Sequence, residues 1–383
     1  MRPRLSQSLL IAHLVMTLPT LAAAQAVTAS LPGSDLTFEI DPRTAKIDDH
    51  LGRKALFLRG QSPPAFVSAV DFVDGTIEFD LSAMPGGNFF GLVFRYTDPF
   101  YHENIYFRLH RSGSFEAVQY APRVNSTAGS WQLYPELMAS AILPVGAWVR
   151  VRAEISGEGM TLFVGDTVKP LVTVRRLRGV TERGRVGFWG RVNNRPEEWT
   201  AAISNVRVRP RAPIPSVAVD TIELPEGTLT GWQVAGPYDA ADSTIAPPMP
   251  GPTEWSPIAL EEGGLLNLSK RVRKPRGGRH AAFLRNTIRV QRAEVVALEI
   301  GYSDDAMAWL NGAPVFRGFN GFNARYPGFL GLLVPAAEHL FLPLRSGENS
   351  LLIAVGERTF GWGLKARVIR QPVKTTTAPE RER

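Results

Sequence analysis

Tyr106, Arg108 and His110 occupy alternate positions of the run Ile105-Tyr106-Phe107-Arg108-Leu109-His110. On a β-strand successive side chains point to opposite faces, so these three share one face and Ile105, Phe107 and Leu109 share the other. An aromatic ring, a guanidinium and an imidazole in one row suit a sugar. The ring covers the apolar face of a pyranose, and the planar polar groups meet its hydroxyls. Arg95, Gln119, Trp131 and Gln132, on neighbouring strand-like or loop stretches, complete the candidate ligand-binding set. In this reading Tyr106 stacks on the sugar and Arg108 donates two hydrogen bonds to hydroxyls or to a uronic carboxylate. Truncating Arg108 is then expected to change stability little, because the side chain leaves no apolar cavity. A solvated sheet face with cross-strand pairs accounts for the same row and stays open as the alternative. Trp148 and Trp189 sit in apolar strands and are expected in the core.

Carboxylates come next. Glu78 and Asp80 lie two apart in Gly75-Thr76-Ile77-Glu78-Phe79-Asp80-Leu81-Ser82. Both point to one face while Ile77, Phe79 and Leu81 point to a core. No other acid extends this pair along the strand, and no catalytic residue is assigned. There is no Gly-rich phosphate loop and no Gly-x-Ser-x-Gly elbow, so neither nucleotide binding nor serine-hydrolase chemistry is expected. The histidines are scattered, without a His-x-x-x-His pair, and no metal ligand is assigned. Asp304-Asp305, after Tyr302-Ser303, offers carboxylates to a structural calcium; a turn cap is the preferred account, and no other cofactor is expected. With no cysteine in the chain, thiol catalysis and disulfides are excluded.

These residues need elements to hold them. Gly and Pro make up about a sixth of the 383 residues, below the roughly one quarter that signals disorder and in keeping with many short strands and turns. Strand-like runs recur through residues 36–40, 55–58, 66–72, 76–81, 90–95, 105–110, 148–155, 160–164, 171–174, 185–189 and 201–208, with Gly, Pro, Asn or Asp in nearly every gap. No amphipathic helix of ten residues is expected. The fold class read here is all-β, two antiparallel sandwiches of jelly-roll type in tandem.

Residues 1–24 read as a signal peptide, with Arg2 and Arg4 before the apolar stretch Leu9 to Leu21 and small residues Ala22-Ala23-Ala24 at the cleavage site. The stretch falls short of the ~18–20 apolar residues of a membrane span, so export to periplasm or exterior is expected, with no span after cleavage. The formal net charge of +7 falls to +5 without Arg2 and Arg4. Outside Lys270-Arg271-Val272-Arg273-Lys274-Pro275-Arg276-Gly277-Gly278-Arg279 the mature chain is near neutral, and this run holds six basic residues and no acid. It is a solvated loop or a contact to a polyanion.

The succession GTIEFDL, GLVFRYTD, IYFRLHRSG, AVQYAP, SWQLY, WVRVRAEISG, TLFVGD and GRVGFWG, spread through residues 27–209, resembles a concanavalin A-like (laminin-G-like) jelly roll. It is similar to the 3-keto-disaccharide hydrolase-like domain of secreted bacterial proteins. The resemblance implies two packed antiparallel sheets with a glycan on the concave one. Family-16 glycoside hydrolases of this fold use Glu-x-Asp-x-Glu on one strand, because a retaining glycosidase needs two carboxyls roughly 5–5.5 Å apart. Here Ser82 stands at the third position, and Glu39-Ile40-Asp41-Pro42-Arg43 departs in the same way.

A Pro-rich link, residues 210–216, follows. Residues 217–371 then resemble a galactose-binding-like jelly roll. Trp309-Leu310-Asn311-Gly312 and Leu344-Arg345-Ser346-Gly347-Glu348-Asn349 are read in it as hairpin turns. Residues 372–383 are read as a disordered tail. Few contacts are expected to cross the link. The function expected is exported carbohydrate binding by the first jelly roll. The alternatives are a glycoside-cleaving enzyme of the 3-keto-disaccharide hydrolase type and an envelope protein-interaction module.

Overall fold

The computed structural model describes residues 26–125, 129–214, 222–240, 250–273, 279–358 and 360–369. The leader 1–24, the tail 372–383, the last residues of the 210–216 link and residues 274–278 of the basic run lie outside the described residues.

Two antiparallel β-sandwiches follow each other. In the first, a nine-stranded sheet runs in the order Val27–Ser30, Thr37–Ile40, Ala65–Val67, Arg185–Arg191, Phe89–Asp98, Tyr101–Arg108, Val118–Tyr120 and Met138–Ala139, with Arg123–Val124 paired to Tyr101–Arg108. A seven-stranded sheet faces it, with Asp74–Ala83 at its centre between Val149–Ser156 and Trp199–Arg211. The alternation read from sequence decides which residues meet. Ile77, Phe79 and Leu81 from one sheet, and Phe90, Leu92, Phe94, Ile105 and Phe107 from the other, are fully buried. Phe79 is the hub, with ring centres 5.7 Å from Phe90 and 5.1 Å from Phe188, spacings at which aromatic pairs add to area burial.

The second sandwich packs a six-stranded sheet, with His280–Val290 and Gly347–Glu357 central, on a four-stranded sheet built around Glu294–Ser303 and Gly363–Ile369. Its buried tryptophans keep their indole N–H groups satisfied: Trp232 donates to the Leu229 carbonyl at 2.8 Å and Trp362 to the Val355 carbonyl at 3.0 Å. Asn311-Gly312 is the expected hairpin turn, with φ of 51° and 85° and Leu310 paired to Ala313. The turn at Ser346-Gly347 is not a hairpin. The strand before it pairs with Glu294–Ser303 and the strand after it with His280–Val290, so it carries the chain from one sheet to the other. Among the described residues the one α-helix is Leu268–Arg271. No described helix is long and apolar enough to cross a membrane.

One position on the core side of Tyr101–Arg108 is not apolar. Glu103 is fully buried and accepts a hydrogen bond from Tyr120 Oη at 2.5 Å. Burial pushes its carboxyl up to about 7, against the pull of that hydrogen bond. Between the ordinary 4.5 and this value the folded chain holds a proton that the unfolded chain has released. Stability should therefore fall as pH rises through that window and level off above it. Glu103→Gln is expected to remove the slope and to raise stability at pH 8 by about 2–3 kcal/mol. Urea midpoints of both proteins at pH 5 and pH 8 check this; an unchanged slope would mean the carboxyl is ionised throughout.

The sandwiches are joined more closely than the Pro-rich link suggests. Ile214, at the end of the described link, still donates its N–H to Asp74 Oδ2 at 2.8 Å. The segment Trp131-Gln132-Leu133-Tyr134 is wedged between the two units. Gln132 N–H donates to the Phe360 carbonyl at 3.3 Å, and the Gln132 carbonyl accepts from Leu333 N–H at 2.8 Å. Leu133 is fully buried against Gly361 and Gly363, where an added Cβ would lie 2.8 Å and 3.0 Å from leucine carbons. Tyr134 Oη donates to Glu261 at 3.0 Å and accepts from Asn267 at 2.9 Å. Arg178 donates to Glu262 at 2.6 Å. Few contacts were expected across the link; the wedge supplies them, because WQLY leaves its own sheet before the next strand begins.

Candidate functional site

The outer face of the nine-stranded sheet carries a cleft of about 900 Å³. Its floor follows from strand register. Trp189 pairs with Gly91, Gly91 with Tyr106, and Tyr106 with Gln119, so these four form one row across four strands. Gly91 is required there, since an added Cβ would lie 2.1 Å from the Trp189 ring. A glycine inside a strand marks such a close approach. Trp189 Nε1 donates to Asn104 Oδ1 at 3.0 Å, and Asn104 stands one position up the same face of Tyr101–Arg108. His102, Asn104, Tyr106 and Arg108 are the outward residues of that strand, and all four line the cleft.

Tyr106 and Arg108 are therefore on the face assigned to them, but neither is free. Tyr106 Oη donates to Gln119 Oε1 at 2.8 Å. Arg108 donates to the Glu116 carbonyl at 2.6 Å and to Gln119 Oε1 at 3.0 Å, and its Nε lies 3.5 Å from the Glu116 carboxylate. Its guanidinium carbon stands 4.5 Å from the Tyr106 ring centre and 5.5 Å from that of Trp131. The expected pair of hydrogen bonds from Arg108 to a sugar is thus replaced by bonds within the protein. Arg108 holds the floor in place.

The other expected site residues separate. Gln119 is fully buried under Tyr106 and Arg108, with its amide donating to the carbonyls of Trp131 and Tyr134 at 2.8 and 2.9 Å. Gln132 belongs to the joint between the sandwiches: its amide donates to the Leu330 carbonyl at 3.1 Å and accepts from Ser303 Oγ at 3.1 Å. Arg95 leaves the cleft face because the pairing shifts between Phe94 and Asp98 and its own φ is 47°. Its guanidinium turns to the Val73 carbonyl, the Gly157 carbonyl and Asp74, at 3.0, 2.7 and 3.1 Å. His110 does not extend the row, since the strand ends at Arg108 and a 3-10 turn covers Leu109–Arg111. It stays at the cleft mouth, edge-on to Phe89 at 5.0 Å.

Trp131 lines the cleft as expected, on the turn Trp131–Leu133. Phe322 and Phe360 of the second sandwich pack on it at 5.8 and 5.4 Å and form one wall of the cleft with Leu330. Trp189, expected in the core, is a cleft residue. The glycine opposite it in the run Phe90-Gly91-Leu92 was the available signal. Trp148 is half-buried outside the core, against His50 at 5.1 Å.

The electrostatics of the cleft are one-sided. Burial, with Arg123 nearby, brings His102 down to about 4, so the ring is neutral at pH 7. Its Nδ1 lies 2.9 Å from the Asp98 carbonyl and donates to it. Glu116 is the one carboxylate in the cleft lining among the described residues, and Arg108 and Arg111 approach it at 3.5 Å each. Glu78 and Asp80 sit on the opposite sheet and are taken up by arginines: Glu78 by Arg150 at 3.0 Å, and Asp80 by Arg53 at 2.6 Å and Arg150 at 3.3 Å. Asp304 Oδ2 accepts from Arg358 N–H at 2.6 Å, and Asp305 pairs with Arg279 at 2.7 Å and Arg358 at 3.0 Å. No cluster of metal-ligating side chains occurs among the described residues. Of the basic run, Lys270 pairs with Glu261 at 2.8 Å, so it and Arg279 are committed to internal acids.

No protein-family model and no curated protein matches the chain. Solved structures resemble it. A carbohydrate-binding module from Bacillus subtilis aligns at 16% identity and a TM-score of 0.33, over 45% of this chain and 96% of that one. A beta-glucanase from Bacillus licheniformis aligns at 14% identity and a TM-score of 0.32, over 50% of this chain and 95% of that one. A prokaryotic beta-1,3-1,4-glucanase from a mouse hindgut metagenome aligns at 13% identity and a TM-score of 0.31, over 43% and 83%. These are all-β jelly rolls of concanavalin A-like type. At these TM-scores and identities, function is read from the cleft itself.

Proposed function

We propose that the protein is exported and binds a carbohydrate chain in the cleft across its nine-stranded sheet. The observation that carries this is the row Trp189–Gly91–Tyr106, with Trp131 beside it. Ring faces and planar polar groups converge in a groove of oligosaccharide size, which is the pattern of a polar ligand with apolar faces. The glycoside-cleaving alternative asks for two carboxyls across a scissile bond, and the described lining offers Glu116 alone, held by two arginines. Binding without turnover is therefore the preferred reading.

The test is titration calorimetry of the mature chain against neutral β-glucan, xylan, mannan, galactan and fructan oligosaccharides, with a reducing-end assay on the same samples. At least one should bind without release of new reducing ends. Trp189→Ala should weaken that binding about tenfold, equivalent to about 1.4 kcal/mol, while the near-ultraviolet spectrum of the other aromatic residues persists. Binding untouched by this change would remove the site from the cleft, and new reducing ends would favour the enzyme. Mass spectrometry of the secreted chain, expected to begin near Gln25 or Val27, checks export.

A further inference from the structure

The aromatic surface of the cleft continues past the row on the nine-stranded sheet. Trp189 stands at one end of that row, over Gly91; at the other end Gln119 donates to the Trp131 carbonyl. Three strand-to-strand steps separate Trp189 from Gln119, about 14 Å at the ordinary strand spacing. Beyond Trp131 the next rings belong to the second sandwich: Phe322, edge-on at 5.8 Å, and Phe360 at 5.4 Å. Both line the cleft. Phe360 is half-buried, whereas Phe322 is 43% exposed. A single exposed ring is ordinary. This one is held at the rim of a ligand cleft. Its loop, residues 320–331, is pinned at both ends. Asn320, which is buried, donates its N–H to the Asp304 carbonyl at 2.6 Å and its amide to the Tyr302 and Leu332 carbonyls at 3.0 and 3.3 Å. Within the loop, Asn323 N–H donates to the Phe329 carbonyl at 2.8 Å, and Asn323 Oδ1 accepts from Gly328 N–H at 2.7 Å. Gly331, with φ of 66°, lets the loop lie against the first sandwich, since an added Cβ would fall 2.6 Å from Gln132 Nε2. Phe322 is thus placed relative to Trp131 before any ligand arrives, and little loop entropy is lost when one binds.

Resting on the carbohydrate reading, we propose that Phe322 is a specificity-determining contact of the cleft, which selects a glycan chain long enough to reach from Trp189 to the Trp131–Phe322 pair. A disaccharide seated on Trp189 stops short of Phe322. A longer chain covers both ends and removes apolar surface from water at each. The two contacts then act as linked epitopes, and affinity grows with the length that joins them. The site is composite in this sense: the first sandwich supplies Trp189 and Trp131, the second supplies Phe322, and the wedge between the sandwiches sets the distance the chain must span.

The experiment is a length series. The β-glucan, xylan, mannan, galactan and fructan oligosaccharides are titrated into the mature chain by calorimetry, each from disaccharide to hexasaccharide. For at least one of them the hexasaccharide should bind about tenfold or more tightly than the disaccharide. Phe322→Ala should weaken the hexasaccharide about fivefold, the scale of losing one principal contact, and leave the disaccharide unchanged. Phe322→Tyr, which keeps the ring, should restore the length dependence, and it serves if Phe322→Ala melts early. Trp189→Ala should weaken both lengths. An affinity that does not rise with length overturns the assignment. Hexasaccharide binding unchanged in Phe322→Ala overturns it as well, and in both cases the loss in Trp189→Ala leaves carbohydrate binding in the cleft standing. An equal loss at both lengths in Phe322→Ala overturns it too, because the ring would then act by shaping the cleft rather than by meeting the far end of the chain. Absence of binding at every length removes the carbohydrate reading itself, and this inference with it.

Discussion

Replacing Arg108 with alanine is expected to lower the stability of the protein by about 3 kcal/mol and to abolish ligand binding in the cleft. The size follows from what the side chain leaves behind. Removing one partner of a buried ion pair costs about 3–5 kcal/mol, mostly because the remaining charge stays buried. Here the remaining charge is Glu116, 7% exposed, and Arg111 at 3.5 Å still faces it, which places the cost at the low end. Gln119 Oε1 keeps its bond from Tyr106, but the Glu116 carbonyl loses its donor. The rings of Tyr106 and Trp131, between which the guanidinium lies, lose the group that spaces them. Arg108→Lys should recover part of the stability, because an ammonium can neutralise Glu116, but not the binding, because it cannot hold Tyr106, Gln119 and the Glu116 carbonyl at once. Urea denaturation of the three proteins, with calorimetry on any glycan that binds, decides this. A midpoint unchanged in Arg108→Ala would return the side chain to a solvated face.

The same residue shows where sequence is informative and where it stops. Period-2 alternation placed Tyr106 and Arg108 opposite Ile105 and Phe107, and the structure has them so. Alternation says which face a residue takes; it is silent on whether that face carries a second layer. Glu116, nine residues downstream of Phe107, supplies that layer and converts an expected ligand contact into a brace. Parity also fails wherever pairing slips. Arg95 follows Phe94 on the pattern, yet a register shift and a left-handed backbone turn it toward Asp74. His110 falls out for a simpler reason, since the strand ends two residues earlier. Trp189 errs the other way: a large apolar residue in an apolar strand reads as core, and the fact that moves it to the cleft is the missing side chain of Gly91 on the neighbouring strand. That fact is written in the sequence, but strand pairing is needed to read it. The fold class, carried by many local alternations that reinforce each other, was legible throughout. The site, carried by pairings between residues far apart in the chain, was legible in part.

Leu133→Asp is expected to have the largest effect of all, dividing one cooperative unit into two. The wild-type chain should melt in a single transition, because the wedge at Gln132, Leu133 and Tyr134 ties the sandwiches by backbone and side-chain bonds on both sides. Leu133 is the apolar centre of that joint. It is fully buried, and both facing positions, Gly361 and Gly363, lack a side chain because there is no room for one. A carboxylate introduced there lies against glycine backbone in a packed interior, and its desolvation is costly. Leucine truncation alone costs about 2–5 kcal/mol at such sites; the added charge pushes the joint beyond that, past what an interface of this kind can hold. Separation withdraws Phe322 and Phe360 from Trp131, so the cleft loses a wall even where the first sandwich stays folded. Scanning calorimetry should show two transitions in the variant, and glycan binding should fall with the upper one still intact. Leu133→Met, which keeps the volume, should cost less than about 1.5 kcal/mol and retain the single transition. If Leu133→Asp melted like the wild type, Leu133 would not be the residue that couples the two sandwiches, and the coupling would have to be assigned to the bonds of Gln132, Tyr134 and Arg178.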